Sequence, residues 1–236
     1  MLWLCRVSLV YASDIPLDVL TAWGQALRHA TISRVDGRFV PVHAHEGERQ
    51  PLFYRFLPAR PRRHSPVVDY VAEPTAQLRW GRQTYNLAEI PPAWGFTHDH
   101  LPWSWPTLVP YRLRVGGHTY TCLEAHFAGL GMSGSAQRYK AVLVVEATRA
   151  VEHLYFSGYG AGCALVGDYT GARRLGYMHF TPGTADMYAH VMTVTGTRKV
   201  RAQRAYAVRA VSVGQGPTRV QARPIPLALV TTTPEP

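Results

Sequence analysis

The run Ala141-Val142-Leu143-Val144-Val145, bounded by Tyr139-Lys140 and Glu146, constrains this fold more than any other stretch. Five successive apolar residues, three of them β-branched, are too continuous for a strand with one wet face. The run fits a strand buried on both sides, near the middle of a sheet. Downstream, the glycine-spaced Ser157-Gly158-Tyr159-Gly160-Ala161-Gly162 lies between Leu154-Tyr155-Phe156 and Cys163-Ala164-Leu165-Val166. Two apolar segments around a flexible turn predict a hairpin at the centre of the molecule.

The rest of the chain supplies strands around that centre. Residues 2–11 alternate, with Trp3, Cys5, Val7, Leu9 and Tyr11 on one face, and read as a strand. Ser13 or Asp14 then caps a helix over 15–31, with Pro16 and Asp18 in its first turn. Val19, Leu20, Trp23, Ala26, Leu27 and Ala30 form its apolar stripe. Short strands fit 38–44 (Pro41 marking it as an edge), 52–57, 67–72, 78–87, 174–180, 187–195 and 205–213. The clearest local signal is a hairpin over 111–122 across Gly116-Gly117. Its alternation places Tyr111, Leu113, Val115, Tyr120 and Cys122 on one face and Arg112, Arg114, Thr119 and Thr121 on the other.

These elements predict a mainly β chain: an antiparallel sheet, sandwich or barrel-like domain with one N-terminal amphipathic helix and long irregular loops. With 18 prolines and 20 glycines spread along 236 residues, many short strands are favoured over long helices. Residues 1–230 read as a single β-rich domain, with a sub-boundary near the stiff basic connector at 58–66. Residues 231–236 read as a tail. The proline-rich stretch 88–110 carries Trp94, Phe96, Trp103 and Trp105, and is the expected contact with partner subunits.

Charge points to anionic partners. The formal net charge is +10, and of the 25 basic residues only Lys140 and Lys199 are lysines. Arginine presents a planar fork that matches phosphate and carboxylate. From Met187 to Pro234 there is no acidic residue but seven basic ones: Arg198, Lys199, Arg201, Arg204, Arg209, Arg219 and Arg223. Basic residues interleave with tyrosine at Arg173-Arg174-Leu175-Gly176-Tyr177 and from Arg201 to Tyr206, the pattern of phosphate pairing beside base stacking. The expected nucleic-acid contacts are therefore Arg173, Arg174, Tyr177, Arg198, Lys199, Arg201, Arg204, Tyr206 and Arg209.

Motifs of known chemistry are absent from the sequence. Gly158, Gly160 and Gly162 lack the last glycine of the dinucleotide fingerprint, since position 163 is Cys163. His43 and His45, and His98 and His100, are pairs rather than a metal-ligand set, so neither metal nor cofactor is expected. Cys5, Cys122 and Cys163 show no CxxC spacing, and their odd number argues for free thiols in a reducing compartment. No signal peptide or membrane span is read, so the expected location is the cytoplasm or a particle assembled there. The expected function is a non-catalytic subunit of a nucleoprotein assembly, a phage-like virion or a ribonucleoprotein particle, contacting protein subunits and RNA or DNA.

The order of strand, helix and glycine-rich turn over 2–31 and 157–177 loosely resembles the ferredoxin-like repeat-processing endoribonucleases, although no second helix is apparent. That resemblance implies the alternative function, an RNA-binding or metal-independent RNA-cleaving domain. His29, beside Arg28, would then be its general base.

Overall fold

The structure, a computed structural model, describes residues 15–42, 53–60, 68–71, 77–80, 83–86, 108–126, 139–146, 153–160, 162–183, 186–195, 200–211 and 218–227. The expected strand at 2–11, the proposed caps Ser13 and Asp14, and the tail lie outside these residues. Helix α1 (Leu17–Ala26) has Pro16 at its N-cap, with no side-chain cap, and Asp18 in its first turn. That acid complements the positive end of the helix dipole. Leu20 and Gly24 are its buried residues, whereas Trp23 is half-buried and Leu27 exposed. Gly24 permits the close approach: a Cβ there would meet Leu165 Cδ2 at 2.6 Å.

The helix, ending at Ala26, stops short of the expected 15–31. Thr31 and Ile32 instead belong to strand β1 (Thr31–Arg34), where they pair with Arg114 and Leu113. A β-branched pair with a sheet edge within reach prefers that partner to another helical turn. The docked part of the expected apolar stripe thus narrows to Leu20, with Trp23 beside it, and Leu27 is exposed. Leu20→Ala should lower stability by about 2–5 kcal/mol, and Trp23→Ala by less than a fully buried ring would because Trp23 is only half-buried. A denaturant midpoint for Leu20→Ala equal to wild type would show that the helix is not docked through this face.

Strands β2 (Gly37–Val42), β3 (Phe53–Pro58), β4 (Val68–Val71), β5 (Gln77–Trp80) and β6 (Gln83–Asn86) form a five-stranded antiparallel sheet in sequence order. Pro41 lies on β2, an edge strand, where a missing N–H is tolerated. Phe39 and Phe56, Cα partners across β2 and β3, set their rings 5.2 Å apart. β3 and β4, which flank the expected connector at 58–66, pair with each other.

The larger sheet adds β7 (Val109–Val115), β8 (His118–His126), β9 (Tyr139–Glu146), β10 (His153–Tyr159), β11 (Val166–Gly167), β12 (Gly176–Pro182), β13 (Met187–Val194), β14 (Val200–Val211) and β15 (Arg219–Ile225). Its order is β1-β7-β8-β9-β10-β12-β13-β14-β15, with β11 paired to β12. From β7 onward this is an antiparallel meander, and the described residues hold one α-helix, not a ferredoxin-like split βαβ arrangement. The 111–122 hairpin has the expected register: Tyr111 faces Cys122 and Leu113 faces Tyr120. β9 lies between β8 and β10, and Val142, Leu143, Val144 and Val145 are all buried, as their continuous apolar character requires.

The sheet curls. Leu113 and Val115 of β7 share one core with Val142, Val144, Tyr177 and Met192. β7 and β12 are four inter-strand steps apart, about 19 Å in a flat sheet at roughly 4.8 Å per step, so the strands must bend round this core. The opposite face of β12–β14 carries Met178, Phe180, Met187, Ala189, Val191 and Val208, which α1 covers through Leu20. Among the described residues no helix is long and apolar enough to cross a membrane.

Two expectations near the centre are corrected. Residues 154–166 do not form one hairpin: β10 pairs with β9 and β12, while Cys163–Leu165 is a 3-10 turn leading into β11. The cysteines are not all free either, because Cys122 and Cys163 form a disulfide, with Cα atoms 5.8 Å apart. That bond and the hydrogen bond from Cys163 N to Glu124 Oε2 (2.8 Å) hold the turn on β8. The inference of a reducing compartment loses its basis, which was unpaired thiols.

Candidate nucleic-acid interface

Arg173 is placed by a turn built around one carboxylate. Buried Asp168 accepts from Thr170 N (2.9 Å), Thr170 Oγ1 (2.9 Å), Gly171 N (3.1 Å) and Arg173 N (2.7 Å). Burial by itself would raise the carboxyl pKa, but the bonds from Thr170, Arg173 and Gly171 outweigh it and hold the group below its ordinary range. Arg173 adopts φ 59°, a left-handed conformation that such a turn must enforce on a residue with a Cβ. The 116–117 turn presses on it: a Cβ at Gly116 (φ +57°) would lie 2.5 Å from Arg173 O. Only glycine fits there.

This turn sits at one end of the larger sheet. Gly176 pairs with Thr193, and Thr193 with Arg201. The loop carrying Arg173 and Arg174 and the start of β14 are therefore brought to the same end, joined also by Val194 N donating to Leu175 O at 2.9 Å. Arg173, Arg174, Arg201 and Arg204 are exposed, and among the described residues none has a carboxylate partner. Arg114, two residues before Gly116 and also exposed, comes to this end as well. Its position on the hairpin was legible in the sequence, but its nearness to the Arg173 turn was not.

The other expected contacts fare differently. Tyr177 is buried in the core between the curled strands, with its phenol pKa pushed up by burial, and cannot stack on a base. Its place in a strand facing that core excludes the role that its proximity to Arg174 suggested. Tyr206 is half-buried, edge-on to Trp23 with ring centroids 5.6 Å apart. Arg209 stands apart, eight residues along β14 from Arg201, or about 26 Å at 3.3 Å per residue, and pairs with Asp186. Arg198, Lys199, Trp94, Phe96, Trp103 and Trp105 lie outside the described residues.

A bulge explains the separation of Arg209. The register between β13 and β14 shifts between Val191 and Met192, so Ala202 faces Met192 while Arg204 faces Val191. Arg201 and Arg204 consequently share the helix-bearing face with Tyr206 and Val208. Arg209 falls on the opposite face with Ala205 and Ala207.

Three features lie outside the arginine cluster. His29 is exposed but is not on the helix; its backbone bridges Asp168, with His29 N donating to Asp168 O at 2.7 Å. Glu124 accepts from Lys140 Nζ at 2.6 Å and from Cys163 N, so its buried carboxylate is engaged in structure. His179 and His190, both buried, stack with centroids 4.7 Å apart and planes 7° from parallel, and His190 Nε2 lies 2.7 Å from Thr181 Oγ1. Burial pushes the His179 pKa well down, with a further push from His190, and lowers His190 to about 4.

No protein-family model, curated protein or solved structure matches this chain. The exposed guanidinium groups of Arg173, Arg174, Arg201 and Arg204, the first on a backbone held by the Asp168 turn, carry N–H forks of the kind that pair phosphates.

Proposed function

We propose that this chain is a non-catalytic subunit of a larger nucleoprotein assembly, a phage-like virion or ribonucleoprotein particle, that contacts nucleic-acid phosphates through Arg173, Arg174, Arg201 and Arg204. One observation carries the reading: residues far apart in sequence bring four exposed arginines to one end of the sheet, with no carboxylate partner among the described residues. A surface that concentrates like charge destabilises itself unless a polyanion covers it.

Binding of this kind releases counterions, so log affinity should fall linearly with log salt, by about 0.7 per phosphate contacted on a single strand. Arg201→Gln with Arg204→Gln should weaken binding to all sequences and flatten that slope by about one to two units. Stability should hardly change, because both side chains are exposed. Anisotropy titrations with naked RNA and DNA of matched length measure this. Failure of the wild-type protein to bind either at low salt would remove the proposal, as would an unaltered slope in the double variant.

The alternative, an RNA-cleaving domain, draws on one observation of its own. His29 is exposed and is bonded through its backbone to Asp168, the residue that holds Arg173. His29 thus lies on the segment that pairs with the base of the arginine-bearing turn, and an imidazole can serve as a general base. Under this reading His29→Ala should abolish cleavage of a bound RNA while leaving its affinity unchanged. Intact RNA after prolonged incubation with wild-type protein would leave the non-catalytic reading in place.

A further inference from the structure

The bulge in β14 leaves a second basic surface, separate from the first. Arg209 and Val211 share their face with Arg219, Gln221 and Arg223 of β15, because Ala207 faces Arg223, Arg209 faces Gln221 and Val211 faces Arg219. All five of these side chains are exposed. The middle of the row is already neutralised. Arg209 Nε donates to Asp186 Oδ1, and its Nη2 donates to Asp186 Oδ2 at 3.2 Å, so one carboxylate occupies its fork from both sides. The row therefore reads positive at Arg219, neutral at Gln221 with the Arg209–Asp186 pair, and positive at Arg223.

We infer that this face docks an extended acidic segment of another protein subunit, with carboxylates four residues apart on the side that meets β15. The spacing follows from the strand. Arg219 and Arg223 are four residues apart on one face, about 13 Å at 3.3 Å per residue, and an extended partner lying along β15 repeats at the same rise. A peptide can place a neutral residue opposite the Arg209–Asp186 pair. A polyphosphate backbone carries charge at every unit and would set one against the Asp186 carboxylate. A carboxylate already fills the Arg209 fork, and the arginine fork matches carboxylate in general. The segment is held by side chains rather than by extension of the sheet: β15 is the last strand of this sheet among the described residues, but Pro224 has no N–H to offer and blunts backbone pairing there.

The inference rests on the proposal that the chain is an assembly subunit, but not on its nucleic-acid contacts, and one experiment separates the two. Two peptides of identical composition, one with two glutamates four residues apart and one with them adjacent, are titrated against the full chain beside a single-stranded RNA. The spaced peptide should bind about two- to fivefold tighter, the range that exposed ion pairs supply. Arg219→Gln with Arg223→Gln should erase that preference and leave RNA affinity unchanged. Arg201→Gln with Arg204→Gln should do the reverse. Asp186→Asn frees Arg209 and should shift the preference towards a peptide with glutamate at every second position. Equal binding of the two wild-type titrations would overturn the inference, as would an equal loss of RNA affinity in the Arg219/Arg223 variant, which would mark the face as a general polyanion surface. Loss of RNA binding alone in the Arg201/Arg204 variant would leave it standing.

Discussion

A variant carrying Cys122→Ala and Cys163→Ala is expected to lose about 4 kcal/mol of unfolding free energy. The two residues are 41 apart in sequence, and closing a loop of that length removes conformational freedom mainly from the unfolded chain. The loop-entropy relation gives about 4 kcal/mol at that length, and both side chains are also buried in the core between the curled strands. The bond further ties the 163–165 turn to β8. Its loss should loosen the floor beneath α1, where Leu165 packs with Leu20. With both sulfurs at 0% exposure, a small thiol can reach them only when the structure opens. Reductant should therefore act slowly on the native protein and rapidly once denaturant is present. Thiol titration in denaturant without reductant should find one thiol per chain. Three thiols, together with an unchanged melting midpoint in the double variant, would show that the cysteines are unpaired.

Acid should destabilise the protein well before its carboxylates titrate. His179 and His190 are buried, stacked on each other and held below the ordinary histidine range. Thr181 bonds His190, the Tyr177 ring lies 6.0 Å from that of His179, and Ala205 faces His190 from β14; a backbone hydrogen bond at Phe180 offsets only part of the effect of burial on His179. The unfolded chain binds protons near pH 6.5, whereas the folded state resists them until about pH 4 at His190. Between those values the unfolded state holds more protons, so stability falls as pH drops through the window. The difference at His190 is worth about 3 kcal/mol once both states are protonated, at about 1.4 kcal/mol per pKa unit, and His179 adds loss of the same sign. Asp168 contributes separately. Its lowered pKa makes its stabilisation complete above its unfolded value near 3.8 and lost only below that. Urea midpoints from pH 7.5 to 4 should decline steadily in the wild type and stay flatter in a His179→Phe/His190→Gln variant. Parallel curves for the two proteins would exclude the pair as the cause.

Much of the sheet was legible because side-chain alternation and burial are local properties of a strand. The β9 core run, the 111–122 hairpin and the edge position of Pro41 each follow from a few neighbouring residues. β15 was not legible, because Arg219-Val220-Gln221-Ala222-Arg223-Pro224 alternates but its apolar members are small and only half-covered. β1 was hidden for a related reason: Thr31 and Ile32 extend a helical pattern equally well until β7 offers an edge.

The site divides along the same line. By itself the sequence determined a β-rich chain, its buried central strand and an arginine-rich segment free of acids over 48 residues. Those depend on composition and on periods of two residues. Only the tertiary structure decided which arginines act together. One extra residue near position 203 turns the later half of β14 over, and Asp186, outside the acid-free run, reaches back to neutralise Arg209. Tertiary structure also decided the fate of Tyr177 and joined Cys122 to Cys163. Pairing across a curled sheet depends on register and curvature summed over many strands, and no short window of sequence carries that sum.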